Sequence, residues 1–206
     1  MKRVSLYVDG FNLYFGLRNA HMRRYLWLDL VALGEALLHP DQSLTQAHYF
    51  TARIRGNGRN QEDRRRQSTY IDALCANPRV SLYEGQFLAK EKRCRSCGAT
   101  WTEYEEKMSD VNLAVELLMG AVDDQYDTAI VVSGDSDLAP PIRRVLARYP
   151  SKRVLVAFPP RRHSAALKMV SSGSFTIGTD KLRRSLLPER IEVAPGVHVS
   201  RPPSWS

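Results

Sequence analysis

The sequence predicts an α/β fold, one domain built on a mostly parallel sheet of about five strands with helices on both faces. Three observations carry this. Short apolar runs of strand character alternate with amphipathic helical segments along the chain. Two of the runs, Val4-Ser5-Leu6-Tyr7-Val8 and Ile130-Val131-Val132, stop at small-residue turns bearing carboxylates, Asp9-Gly10-Phe11-Asn12 and Ser133-Gly134-Asp135-Ser136-Asp137. A buried strand entering a polar turn and then a helix is where an open α/β sheet places its site. Finally, 206 residues with 43% hydrophobic content suffice for one such core.

Taken in order, residues 3–8 form the first strand and a helix is expected over 11–19. Trp27–Leu38 has apolar residues at helical spacing, with Asp29 placed as a cap and Pro40 beyond the end. Gln46–Ile54 is rich in aromatic and β-branched residues and is assigned as a strand. Gly56-Asn57-Gly58 is a loop that lacks the strand-to-helix context of a dinucleotide fingerprint. Residues 60–76, with Glu62-Asp63 in the first turn and Pro78 as the stop, form a helix whose Arg64-Arg65-Arg66 run is a solvated face. Val80–Leu88 is the third strand, and Lys90–Glu106 is a charged insertion around Cys94-Arg95-Ser96-Cys97-Gly98.

Residues 109–119 are the clearest helix, with Gly120 at its end. Asp127–Val132 and Arg153–Phe158 are the fourth and fifth strands. Between them a helix over 136–148 carries Pro140-Pro141 in its first turn, where proline is tolerated. A short helix is expected near 163–170 and a short last strand over Ser174–Ile177. The domain is expected to span 1–180, with residues 90–106 as its insertion. Residues 181–206 are expected to be a proline-rich tail or docking arm, without periodicity from Leu186 on.

Charge and composition narrow the function. No apolar run approaches the roughly 18–20 residues a membrane span needs, and Met1-Lys2-Arg3 runs straight into a strand, unlike a signal peptide. Three cysteines do not make a disulfide framework, so a soluble cytoplasmic protein is expected. Residues 1–137 hold 17 Lys+Arg against 19 Asp+Glu, whereas residues 138–206 hold 13 against 3, within a net charge of +8. An acidic site beside a basic C-terminal third suits a polyanionic substrate. The plainer account is a soluble surface with excess arginine.

Asp9, Asp110, Asp135 and Asp137 each stand at a strand end or in the first turn of a helix. In a parallel sheet the strand C-termini share one edge, so these carboxylates can approach one another. Two of them about 4 Å apart repel by roughly 4 kcal/mol at an effective dielectric near 20, which calls for a counter-ion. Oxygen ligands without histidine or cysteine favour Mg²⁺ or Mn²⁺. Singly, each aspartate is as well explained as a helix cap or turn residue; only their convergence argues for a site.

Tyr7-Val8-Asp9-Gly10-Phe11-Asn12-Leu13, Glu105-Glu106-Lys107-Met108-Ser109-Asp110-Val111 and Val132-Ser133-Gly134-Asp135-Ser136-Asp137-Leu138 together resemble the NYN domain family, a branch of the PIN-like nucleases. The C-x-x-C insertion and the ending Arg201-Pro202-Pro203-Ser204-Trp205 resemble its LabA-like branch. The resemblance implies a Rossmann-like, PIN-like three-layer sandwich whose acidic pocket holds Mg²⁺ or Mn²⁺ for phosphodiester hydrolysis, usually of RNA. It implies Asp9, Asp110, Asp135 and Asp137 as catalytic metal ligands, Asn12 and Ser133 as catalytic residues holding the metal shell or a scissile phosphate by hydrogen bonds, and Lys107 as a phosphate contact. Arg143, Arg144, Arg148, Arg161 and Arg162 are candidate backbone contacts. Many relatives have Gly-Val after the lysine where this chain has Met108-Ser109, a departure that would let Ser109 cap the helix.

Phe11 and Tyr14 could stack on a base, although packing explains them equally well. Cys94 and Cys97 are half of a zinc-ligand set, to be completed across a homodimer or by a histidine, or else the tip of a metal-free hairpin. Cys75 packs as a small apolar residue, and His163 is a surface residue or a phosphate contact. The alternatives to a ribonuclease are a non-catalytic nucleic-acid-binding module and a LabA-like enzyme acting on a small N-heterocyclic substrate. No flavin or nicotinamide fingerprint supports the latter. A haloacid-dehalogenase-type phosphatase is disfavoured because Phe11, not a second aspartate, follows two residues after Asp9.

Overall fold

In the computed structural model, which describes residues 1–54 and 60–205, the first strand β1 (Lys2–Asp9) lies at the centre of the sheet. Its sequence explains that place. Every residue from Val4 to Asp9 is buried, and alternate side chains feed two cores, Val4, Leu6 and Val8 on one face and Tyr7 on the other. Around it stand β2 (Gln42–Ala52), β3 (Val80–Arg93), β4 (Thr100–Lys107), β5 (Thr128–Val132), β6 (Arg153–Phe158) and β7 (Gly173–Thr176). The order is β4-β3-β2-β1-β5-β6-β7, parallel throughout except for β3 with β4.

Helices α1 (Gly10–Asn19), α2 (Leu30–Ala36) and α3 (Gln61–Cys75) pack on one face of the sheet. Helices α4 (Ser109–Val122), α5 (Ala139–Arg148) and α6 (Ala165–Val170) cover the other, completing three layers. Among the described residues the sheet has seven strands where about five were expected. The charged insertion is itself a ribbon, in which β3 runs on to Arg93 and returns as β4, and the short last strand joins β6. The expected loop at Gly56-Asn57-Gly58 lies outside the described residues.

Several boundaries differ for physical reasons. Helix α2 begins only after Asp29, whose carboxylate accepts the N–H groups of Val31 and Ala32, while Trp27 and Leu28 are core residues ahead of it. The expected helix over 136–148 opens as a 3₁₀ turn, Ser136–Leu138, before α5. Gly120 does not end α4 but lies inside it, because a Cβ there would stand 2.6 Å from the Tyr7 hydroxyl and 3.0 Å from the Tyr126 ring.

The end of the chain is more ordered than its composition suggests. A helix α7 (Thr179–Arg184) leads to a hairpin of β8 (Arg190–Ala194) and β9 (Val197–Ser200). Trp205 then packs on Trp27 and Tyr70 with only 6% exposure. Trp27 Nε1 donates to the Pro188 carbonyl at 2.7 Å. Ile191 and Val199 touch the core as a period-two pattern too short to stand out in the sequence.

Candidate functional site

From β1 the chain winds to β2 on one side and from β5 to β6 on the other, so a crevice opens at the C-terminal ends of β1 and β5. Val8 pairs with Val132, so Asp9 and Ser133 leave the sheet side by side. Asp9 is 2% exposed. It caps α1, with Oδ1 accepting the Asn12 backbone N–H at 3.0 Å. Its Oδ2 accepts Asn12 Nδ2 at 2.6 Å and the Ser133 hydroxyl at 2.8 Å. Asn12 Oδ1 accepts the Gly134 N–H at 3.2 Å, and Ser133 Oγ accepts the Asp135 N–H at 3.0 Å. Asp135 Oδ1 accepts the Asp137 N–H at 2.9 Å. The two acidic turns are therefore one hydrogen-bonded unit, with Asn12 and Ser133 locking Asp9.

Asp110 arrives in the first turn of α4, and the entry is strained. A Cβ on Gly85 would lie 2.5 Å from the Lys107 carbonyl, so the chain passes tightly over β3 and turns at Met108 with φ of 85°. That left-handed position favours glycine, and here it is taken by methionine. Met108 holds the cap position without a side-chain capping bond, its sulfur instead accepting Gln86 Nε2 at 3.4 Å. Ser109 is not the cap: its hydroxyl is buried without a partner among the described residues, and its N–H donates to Glu106 Oε1 at 3.1 Å.

Burial raises the Asp9 carboxyl above its ordinary range; the bonds from Asn12 and Ser133 oppose this, and the Asp135 charge adds to it. Partial burial, then the charges of Asp9, Asp135, Glu106 and Asp137, push Asp110 up to about 7. Among the described residues no cation opposes that rise. Glu106 is the residue missed by sequence reasoning. Its signal was the period-two alternation of β4, which places it across from Phe87, on the face turned to the crevice.

The basic candidates are not drawn into this cluster. Lys107 pairs with Glu105 at 3.1 Å. Arg143 and Arg144 lie on the exposed face of α5, Arg148 lies over Tyr149, and Arg161 is exposed. Arg162 comes nearest, since a Cβ on Gly134 would lie 2.9 Å from the Arg162 Cβ, and its Nε is buried without a partner. His163 is exposed, with its ring against Phe158.

Beside the acidic junction a cleft of about 460 Å³ runs under the β3–β4 ribbon. Its walls include Phe11 and Tyr14 from α1, Phe87 and Tyr104 from the ribbon, Tyr49, and Trp205 from the tail, with Glu106 at the acidic end. Phe11 and Phe87 meet edge to face at 6.0 Å.

The donor set suits a hard divalent cation. It is all oxygen, it carries excess negative charge, and no hydrogen bond occupies the carboxylate oxygens of Asp110 or Asp137 among the described residues. Among those residues no three His, Cys, Asp or Glu side chains stand ready to hold one ion. The fit is thus to an ion held by one or two carboxylates and completed by water, as Mg²⁺ commonly is.

The NYN domain family model matches residues 3–178. The 6-hydroxy-3-succinoylpyridine 3-monooxygenase HspA of Pseudomonas putida is 31% identical over 179 residues, covering 70% of this chain and 56% of that protein. The chain thus spans little more than half the length of this relative. The crystal structure of a Vibrio parahaemolyticus protein of unknown function aligns with a TM-score of 0.53 at 20% identity, over 90% of this chain and 96% of that one. That likeness shows the fold alone.

Proposed function

The chain belongs to the NYN domain family, and from that premise we propose a metal-dependent ribonuclease that hydrolyses RNA phosphodiester bonds at the acidic junction. The observation that carries this reading is the set of carboxylates, Asp9, Asp135, Glu106 and Asp137, that act together on Asp110 at the sheet switch point. A binding module gains nothing from such repulsion; a site that recruits a cation does. The C-x-x-C insertion and the Arg201–Trp205 ending favour placement in the LabA-like branch.

Asp9 is the fixed ligand, because Asn12 and Ser133 leave its carboxylate one orientation. Asp110 would be the responsive ligand, because its carboxyl is raised to about 7 and would hold a bound cation only in its ionised form. Asp135 and Asp137 complete the negative field. When bound, Mg²⁺ or Mn²⁺ polarises a phosphoryl oxygen and lowers the pKa of a water. Phe11 and Phe87 offer an aromatic edge on which an unpaired base can stack. Arg162, beside Gly134, would hold the RNA backbone nearest the acids, with Arg161, Lys107, Arg143 and Arg144 as outer contacts.

A second reading has its own support. The relative named as a monooxygenase of a pyridine compound and the aromatic cleft beside the acids favour an enzyme acting on a small N-heterocycle. Cleavage of a labelled single-stranded RNA with Mg²⁺ or Mn²⁺ separates the two. Wild type should cut, and Asp110→Asn should lose at least about 100-fold in rate, comparable to removing one preorganised charge-stabilising group. Asp110 is chosen over Asp9 because Asp9→Asn would also break the hydrogen-bonded unit. Full activity in Asp110→Asn would refute the assignment, and no cutting by metal-loaded wild type would move the heterocycle reading to first place.

A further inference from the structure

The ribbon formed by β3 and β4 leaves the sheet near Gln86 and Lys107 and ends at a knuckle, Cys94–Ala99. At that tip the Cys94 N–H donates to the Ala99 carbonyl at 2.7 Å, the Gly98 N–H donates back to the Cys94 carbonyl at 3.0 Å, and Gly98 takes φ of 74°. The neighbouring backbone of Cys97 and Ser96, then the Cys97 side chain, draw the Cys94 thiol below its ordinary range. Two thiols therefore share one tight knuckle at C-x-x-C spacing, one half-buried and one exposed.

The ribbon has little else to hold it. One face carries Leu88, Lys90 and Lys92 opposite Glu105, Glu103 and Trp101. Its side-chain ties there are the ion pairs Lys90–Glu105 and Lys92–Glu103 with Lys107–Glu105. Exposed pairs of this kind contribute about 0–1 kcal/mol each, and a lone two-stranded hairpin is marginal in water. Yet Leu88 is 42% and Trp101 49% exposed on that same face.

We propose that Cys94 and Cys97 are half of a structural Zn²⁺ site, completed to four thiolates by the same pair from a second copy of this chain. Zinc takes four ligands in a structural site, and among the described residues no third His, Cys, Asp or Glu joins the pair. A second copy supplies the missing pair by symmetry, and a twofold axis through the ion is the simplest closure. Charge agrees with that occupant. Lys92, Arg93 and Arg95 crowd the tip, with the Arg93 guanidinium 3.7 Å from where a Gly98 Cβ would stand. Two such tips repel unless an anionic centre lies between them, and zinc with four thiolates carries a net charge of −2. Leu88 and Trp101 then gain cover from the facing ribbon. Because the inner face carries Phe87, Tyr104 and Glu106, the stapled ribbon would also fix one wall of the cleft.

Zinc content and solution mass test this on the whole chain. The expected result is one zinc per two chains in a dimer, release of the metal with dissociation to monomer by a strong chelator, and a thiolate-to-cobalt charge-transfer band of a four-sulfur site after cobalt exchange. Cys94→Ser and Cys97→Ser should each give a folded, zinc-free monomer, since the knuckle stands apart from both cores, and Cys75→Ser should keep metal and dimer. No zinc, one zinc per chain in a monomer, or a dimer indifferent to chelation and to Cys94→Ser would each overturn the proposal.

Discussion

Replacing Asp110 by Asn should stabilise the metal-free protein, and by an amount that depends on pH. The carboxyl moves from 3.8 to about 7 on folding, which at 1.36 kcal/mol per tenfold corresponds to about 4 kcal/mol against the ionised form. Asp110 is only partly buried, so solvent screening cuts this to about 2 kcal/mol. Losing a negative charge in the first turn of α4 costs about 0.5 kcal/mol in return. The net gain is about 1.5 kcal/mol, or about 3–6 °C in melting temperature for a domain of this size.

The sign follows from linkage. A carboxyl raised in the folded state binds its proton more tightly there than in the unfolded chain, so stability falls as pH rises from about 4 to about 7 and then levels. The advantage of Asp110→Asn should therefore be full at pH 8 and less than half as large at pH 5. Urea or thermal unfolding of both proteins in chelator at the two pH values reads this directly. The same measurement with Mg²⁺ or Mn²⁺ at about 100-fold over its Kd should stabilise wild type by about 2.7 kcal/mol and the variant far less. A variant no more stable than wild type at pH 8, or an equal advantage at both pH values, would refute the electrostatic account of the junction.

Three further changes probe the scaffold around the site. Trp205→Ala should cost about 3 kcal/mol by urea unfolding, as for other buried tryptophans, and a loss below about 1 kcal/mol would mean the tail contributes little to the core. Met108→Val should destabilise by more than about 1 kcal/mol, because a β-branched residue resists positive φ. Met108→Gly, measured beside it, should not destabilise, and equal effects would argue against strain at this turn. Gly120→Ala should lose about 1–2 kcal/mol despite better helix propensity, since the new methyl meets the Tyr7 hydroxyl and Tyr126 ring; a gain in melting temperature would show that Tyr7 moves aside freely.

Much of the fold was legible along the chain. Apolar runs that stop at Asp9 and Ser133 marked the two central strands, because a strand buried on both faces needs an unbroken apolar run and its end needs a turn. Asp29 was readable as a cap from local chemistry alone. The tail was not, since its order comes from Trp205 reaching Trp27 and Tyr70 far away in sequence. Gly120 was misplaced for the same reason: a glycine at a helix end and one under a tyrosine look alike until the tyrosine is placed.

For the site, the sequence by itself determined the candidate carboxylates, Asp9, Asp110, Asp135 and Asp137, and their positions at strand ends and helix starts, because these depend on local turn and capping chemistry. Tertiary structure alone decided that Glu106 joins them, that Asn12 and Ser133 lock Asp9, that Met108 turns left-handed over Gly85, and that an aromatic cleft opens beside the acids. Charge coupling and close packing depend on distances through space, and only the folded sheet sets those distances.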